Sequence, residues 1–363
     1  MSVLHAGAAL RNLGLAFAAT VVSLACFEGA ARVLGLHFPG VPVASGTREV
    51  AWVYDERLGW RNRPHFAGHD AIAGPDRAAV RINSLGLRGA EIRPKAGPRV
   101  AVFGDSFVFG TGVDEEHTFT AHLERLLRRT AEDYDVVNLG VNGFSTDQEL
   151  LLFQAMVDRL RPEVVVLVMC DNDFDGNLRD FVFRRYYKPF FTLRSGRLEV
   201  HNQPVPRLAR GQEAKLWLGQ RSEAWNFFRS RTLGGRPVFG FLQVGRPRPP
   251  SEDPLELMAA LARGFRDVAE GRGARFAAFN TGHRGENTPL YQALRPRLVR
   301  DRIDFLGLEG HMAQGRERHP ELHWDFGTDR HWNRAAHRLA SEVVYNFLSS
   351  KGWVGRARSA PIP

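Results

Sequence analysis

The stretch Val100-Ala101-Val102-Phe103-Gly104-Asp105-Ser106-Phe107 decides how this chain is read. An unbroken apolar run ends at a glycine, and a serine stands on the turn beyond it. A short apolar run without alternation marks a strand buried on both faces. In open α/β sheets, ligands bind just beyond the carboxyl ends of the strands. Ser106 therefore stands where a site would form. Gly-Asp-Ser alone is also an ordinary turn, so the motif gains its weight from segments further along the chain.

The same rhythm continues toward the C-terminus. Strands are expected at 99–103, 135–139 (DVVNL), 163–169 (EVVVLVM), 275–279 (RFAAF) and near 303–307. Helices are expected near 119–130, 147–160, 254–270 and 333–349. Phe119, Leu123, Leu126 and Leu127 fall on one face of the first of these. Thr146 and Glu149 have the spacing of a capping box at the start of the second. Strands alternating with helices argue for a parallel sheet covered on both faces. The fold class is α/β: a three-layer α/β/α, flavodoxin-like domain.

Four domain segments are expected. Residues 1–37 form an N-terminal helix and its flank. Residues 38–97, rich in Pro, Gly and Arg, are an accessory lead-in with a short strand at 79–82. Residues 98–350 are the main domain, interrupted by an insertion at about 181–250. Within that insertion KPFFTLRSGRLEV reads as a hairpin about Ser195-Gly196, and 245–253 reads as a joint. Residues 351–363 are a flexible tail.

Residues 12–27 (NLGLAFAATVVSLACF) carry no charge. Sixteen residues fall just short of the usual spanning length of about 20. Arg11 can snorkel at one end, and Glu28 can pair with Arg32 at the other. The segment reads as a transmembrane signal-anchor, with a cleaved signal peptide, a lipoprotein or a buried core helix as the alternatives. The charge on its first flank places the remainder outside the cytoplasm, periplasmic or at the cell surface.

The formal net charge is +9, yet only four of the 49 basic residues are lysine. The arginines are spread along the whole chain, whereas a nucleic-acid surface clusters its charge. Nucleic acid is therefore not an expected partner. The aromatic and basic stretch 52–66 is read as packing and solvation rather than as a glycan or nucleic-acid surface. Two cysteines, Cys26 and Cys170, do not make a disulfide framework.

Four segments carry chemistry. Ser106 ends the first strand, and Asn138 through Gly143 end the second. Cys170-Asp171-Asn172-Asp173 end the third, and Asp329-Arg330-His331-Trp332-Asn333 precede the last helix. A serine hydroxyl is a weak nucleophile until a base takes its proton, and His331 is a suitable base. Asp329 can hold that imidazole in one tautomer. The Ser106 N–H, the Gly143 N–H and the Asn172 amide are candidate donors to an oxyanion. Each residue also has a plainer reading: Ser106 as a helix cap, Asn172 as a turn residue, His331 as a structural histidine beside Trp332. His323 and His337 are read as structural or surface residues, and Cys170 as a small buried apolar residue. Asp171 to Gly176 matches the first half of a calcium loop, but Val182 stands where a glutamate is needed. The glycines from 104 to 112 lack the ending of a phosphate loop.

This set resembles the SGNH (GDSL) hydrolase superfamily, and in particular its bacterial membrane-anchored members. Gly104-Asp105-Ser106 matches the first block and implies Ser106 as nucleophile. Asn138 to Gly143 matches the second, with Gly143 at the oxyanion position. The third block usually reads Gly-x-Asn-Asp; here Cys170 replaces the glycine and Asn172 carries over. The fourth usually reads Asp-x-x-His. Here it is Asp329-x-His331, similar to the Asp-x-His-Trp branch that includes polysaccharide O-acetyltransferases. The resemblance covers roughly 79–180 and 252–349. It implies a serine esterase or deacylase acting on acyl esters, acetyl above all, of extracytoplasmic glycans. The expected partners are an acylated glycan or small ester and, through the N-terminal helix, a membrane. No cofactor and no metal are implied. The alternatives are a polysaccharide O-acetyltransferase of the same fold, a non-catalytic glycan-binding scaffold motivated by the departures in blocks three and four, and a lipid-directed esterase.

Overall fold

The protein is described from a computed structural model. The described residues are 3–36, 52–70, 78–131, 133–182, 186–208, 211, 214, 217–219, 222–231, 253–282, 288–326 and 330–355. Of the expected joint at 245–253, residues 245–252 lie outside them, as does the tail after 355. The chain divides into two compact units, 1–43 with 208–244, and 44–207 with 245–363.

The larger unit is built on a five-stranded sheet. Its strands are β1 (Arg99–Gly104), β2 (Asp135–Gly140), β3 (Val164–Met169), β4 (Arg275–Asn280) and β5 (Asp304–Leu306). Their order is β5-β4-β3-β1-β2, and every pairing is parallel. This is the flavodoxin-like order, and the expected α/β fold is the one observed. Because side chains alternate along a strand, each strand feeds two cores. Ala101, Phe103, Val165, Leu167 and Ala278 face one core with the helices Thr146–Leu160, Pro254–Glu270 and Thr288–Arg300. Val100, Val102, Val164, Val166 and Phe279 face the other, with Phe119–Arg128 and Arg334–Ser350. In the first core Phe103, Phe153 and Phe265 pack with ring centroids 4.9 to 5.5 Å apart. Each buried phenylalanine contributes roughly 1.5–3 kcal/mol.

The main departure at the level of elements is at the start of helix Thr146–Leu160. The capping box expected from Thr146 and Glu149 does not form. Ser145 is the N-cap residue, without a side-chain cap bond. Thr146 instead donates its hydroxyl to Asp173 Oδ2 (3.1 Å), and Glu149 is fully buried. This first turn faces the interior, so its polar side chains meet other buried groups rather than the free amides of their own helix. Helices Thr288–Arg300 and Glu309–Arg318 are present without being expected, as is Glu223–Arg231 in the smaller unit. The first contains Pro296 and the second two glycines, which mask a helical pattern.

Residues 52–70 and 78–97 are built into this unit. Trp52, Leu58, Trp60 and Leu87 belong to the first core, and the expected short strand is Ala78–Arg81. The hairpin expected about Ser195-Gly196 is present, with Phe190–Arg194 paired to Arg197–His201.

In the smaller unit the helix Val3–Val33 is the dominant element. Its stretch Arg11–Val33 is long and apolar enough to cross a membrane, a property that a signal sequence near an N-terminus shares. Arg32 donates to Glu28 (2.8 Å), the expected i, i+4 pair. Glu28 also accepts from Ser222 Oγ and Ala224 N, and Phe27 packs on Phe227.

Candidate active site

β1, β2 and β3 end level with one another: Gly104 is in register with Gly140 on one side and Val168 on the other. The three segments beyond them therefore leave the sheet at one edge, where crevices form in open α/β folds. Ser106 opens a single helical turn, Ser106–Phe109. Asp105 caps that turn by accepting the Phe107 amide (3.0 Å). Gly104 is required here: a Cβ would lie 2.4 Å from Val108 Cγ2 and 3.0 Å from Val168 O.

His331 reaches the same place from the far end of the sequence. Its Nε2 is 2.7 Å from Ser106 Oγ. The imidazole is set by its neighbours. It lies 5.1 Å, centroid to centroid, from Phe107. Trp332, buried, packs edge-on against Phe107 and His337. Asn333 then caps the last helix, accepting from Ala335 N and Ala336 N. Asp329, the residue expected to orient His331, lies outside the described residues.

The loop after β2 carries Gly143, whose φ of 76° lies in the left-handed region that favours glycine. This loop is held by residues that the sequence does not single out. Trp60 Nε1 donates to Asn142 O (3.1 Å), and Asn62 Nδ2 donates to Gly140 O (3.2 Å). Thr111 donates to Asn142 Oδ1. Arg88, also buried, donates through Nη1 to Phe109 O (2.6 Å) and Gly110 O (2.5 Å), and through Nη2 to Val113 O (2.5 Å). These partners lie up to 82 residues apart, and nothing in the local pattern around Trp60 or Arg88 announces them. The aromatic-basic composition of 52–66 is the only signal in the sequence.

After β3, Asn172 is exposed and its side chain lies against the Asp105 carboxyl. Burial raises the Asp105 pKa, while the Phe107 amide, His331 and the Cys170 and Asn172 contacts oppose that rise. Cys170 is buried in the second core. Burial, then the carboxyls of Asp105 and Asp173, push its thiol well above the usual range. This environment favours the neutral thiol over the nucleophilic thiolate. His323 is exposed, and His337 is buried with Nδ1 accepting from Phe119 N (3.1 Å).

Among the described residues, Asp114, Glu116 and His117 bring possible metal-ligand atoms within 4.8 Å of one another. Asp114 already accepts from Ala79 N and Arg334, each at 2.9 Å. Asp173, within the calcium-like stretch, begins a helical turn and accepts from Cys170 N and Thr146 Oγ1.

A hydroxyl and an imidazole at hydrogen-bond distance have the geometry that a nucleophile and its base require. The GDSL-like lipase/acylhydrolase family matches residues 102–339, which span all these segments. The chain belongs to that family. This GDSL-family protein is an ester-hydrolysing enzyme. It is similar to several solved structures. One is of TesA, at 15% identity and TM-score 0.40, covering 69% of this chain and 98% of that one. Another is the psychrotrophic esterase EstA from Pseudoalteromonas sp., inhibited by monoethylphosphonate, at 12% identity and TM-score 0.39, covering 71% and 98%. A third is the acetyl xylan esterase AlAXEase, at 12% identity and TM-score 0.39, covering 69% and 99%. A search of curated proteins finds no match for this GDSL-family chain.

Proposed function

We propose that this protein is a serine deacylase that removes acetyl or other short acyl groups from extracytoplasmic glycans. The observation that carries the reading is the 2.7 Å approach of His331 Nε2 to Ser106 Oγ. In this reading Ser106 Oγ attacks the ester carbonyl while His331 takes its proton. The tetrahedral oxyanion is held by the Ser106 N–H, the Gly143 N–H and the Asn172 amide. Collapse expels the alcohol, which leaves with the proton from His331. Water then attacks the acyl-enzyme, with His331 again as base, and releases the acid. Asp329 orients the imidazole and stabilises its charged form.

The glycan substrate is supported by the resemblance of Asp329-x-His331-Trp332 to a branch that includes polysaccharide O-acetyltransferases. The outward placement is supported by the helix Val3–Val33, whose apolar stretch Arg11–Val33 reads as a membrane anchor.

The test is release of p-nitrophenol from p-nitrophenyl acetate by the full chain in detergent, beside Ser106→Ala and His331→Ala. Turnover lost in both variants supports the reading. Turnover retained in either variant would falsify it. Acetate release from O-acetylated polysaccharide then tests the substrate class.

A further inference from the structure

The first turn of helix Thr146–Leu160 and the turns after β1 and β3 bury an unusual group of carboxyls. Asp105, Asp147, Glu149 and Asp173 are each at most 1% exposed. Lys188, also buried, answers one of them. Its Nζ donates to Asp147 Oδ1 (2.7 Å), Asp147 Oδ2 (2.5 Å) and Gly176 O (2.9 Å). The other three have open positions. Among the described residues, neither oxygen of Glu149 has a hydrogen-bond partner, and Asp173 Oδ1 and Asp105 Oδ2 have none. The groups are close enough to act on one another: Asp173, Asp105 and Asp147 all repel a charge on Glu149, Asp173 most strongly.

Buried carboxylates without hydrogen bonds are costly, and several together more so. Acceptor oxygens cannot satisfy one another unless one carries a proton. A protonated carboxyl supplies one O–H donor, and a single proton on Glu149 turns a repulsion into a hydrogen bond. Burial, reinforced by these neighbours, drives the Glu149 carboxyl well above its ordinary range.

We propose that Glu149 is a neutral carboxylic acid donating its proton to Asp173 Oδ1, and that this bridge positions Asn172 against Ser106. Asp173 comes directly after Asn172, and its other oxygen accepts the Cys170 amide (2.9 Å), closing the turn that presents Asn172. Asp105 precedes Ser106 and lies against the Asn172 side chain. Glu149 is thus a positioning residue, acting through Asp173 on the turn that carries Asn172. Its role in turnover rests on the reading of Asn172 as an oxyanion donor; its protonation does not.

The full chain is compared with Glu149→Gln and Glu149→Leu. Glutamine keeps the shape and an N–H donor but cannot ionise; leucine removes the donor. Infrared difference spectra of the wild type are expected to show a protonated-carboxyl carbonyl band that Glu149→Gln removes. Absence of such a band overturns the protonation, whatever the activity. In kcat against pH, the wild type is expected to lose activity on the alkaline side as Glu149 ionises. Glu149→Gln, with kcat near the wild type, is expected to lack that limb. Asp105, Asp147, Asp173, Lys188, Cys170, Tyr291 and His331 lie around this region and remain in both proteins. A limb that persists in Glu149→Gln overturns the positioning role. Glu149→Leu is expected to lower kcat about 10²-fold with KM little changed, as for a misplaced catalytic group. Absent turnover in the wild type would count against the proposed function, while the infrared result still decides the protonation.

Discussion

Gly140, the last residue of β2, lies directly against the backbone of Phe109: a Cβ at Gly140 would fall 2.1 Å from Phe109 N. The helical turn that begins with Ser106 rests on the end of β2 through this contact, so the position of Ser106 depends on a residue far along the next strand. Gly140→Ala must push the turn off the sheet. Overpacking of this kind costs typically about 1–3 kcal/mol. A lowered midpoint of thermal unfolding is expected, together with a fall in kcat larger than the change in KM.

Asn172 is proposed to meet charge that exists only in the transition state. Asn172→Ala should therefore lower kcat by about 10²–10³-fold, or about 2.7–4 kcal/mol, with KM nearly unchanged. Steady-state kinetics on p-nitrophenyl acetate checks this. A variant within about threefold of the wild type would remove Asn172 from the oxyanion site.

Trp60 holds the loop that carries Gly143 through one hydrogen bond to Asn142 O. Trp60→Phe keeps an aromatic ring beside Phe144 and Tyr186 and deletes that bond. A stability loss of about 1 kcal/mol is expected, with kcat reduced as the loop loosens. Denaturant unfolding and kinetics on one preparation separate the two effects.

The buried pair of Lys188 and Asp147 offers a test of charge burial. Lys188→Met removes the buried cation that answers the Asp147 carboxylate and should cost about 3–5 kcal/mol. The double variant Lys188→Met with Asp147→Leu should recover much of that loss, because a well-packed apolar pair replaces two desolvated charges. Urea midpoints of the single and double variants decide it.

His337 is buried, and burial holds its pKa well below the ordinary 6.5, with nearby Arg88 and other histidines acting in the same direction. The folded protein keeps this ring neutral, with Nδ1 accepting from Phe119 N. The unfolded chain binds a proton as pH falls through about 6.5. Its contribution to stability is complete above that pH and is lost progressively as pH falls toward the folded value. Glu149 and Asp173 carry the opposite sign. Burial raises both pKa values, reinforced for Glu149 by Asp173, Asp105 and Asp147 and for Asp173 by Asp105 and Asp147, so their contribution is present below the ordinary carboxyl range and is lost as pH rises through the folded values. In His337→Asn, the decline in urea midpoint below about pH 6.5 should be shallower than in the wild type.

Much of the sheet is legible because its signal is local. Val100 to Phe103 and Val164 to Met169 are short apolar runs that no amphipathic surface helix would contain, and Val136 to Leu139 is a similar run broken only by Asn138. Their observed bounds differ from expectation by about a residue. Helix Thr146–Leu160 stands where the pattern puts it, but its first turn does not behave as the spacing suggests. Thr146 and Glu149 have capping spacing, yet only the neighbouring turn at Asp173 decides that they point inward. Helix Thr288–Arg300 is hidden because Pro296 weakens the local preference that tertiary packing of Leu294 and Leu298 restores.

For the site the division is similar. The residues Ser106, Gly143, Asn172 and His331 can be picked out by type and order alone, since each sits just beyond a strand or just before a helix. That His331 Nε2 stands 2.7 Å from Ser106 Oγ across 225 residues of chain is a property of the closed fold. So is the support of the Gly143 loop by Trp60 and Asn62, and the burial of Glu149 among other carboxyls. Periodicity and turn chemistry are written in neighbouring residues, and the sequence by itself determined the strands, their helices and the candidate chemistry. Distances between remote groups, and the desolvation that sets their protonation, arise only when packing brings distant segments together; these the tertiary structure decided.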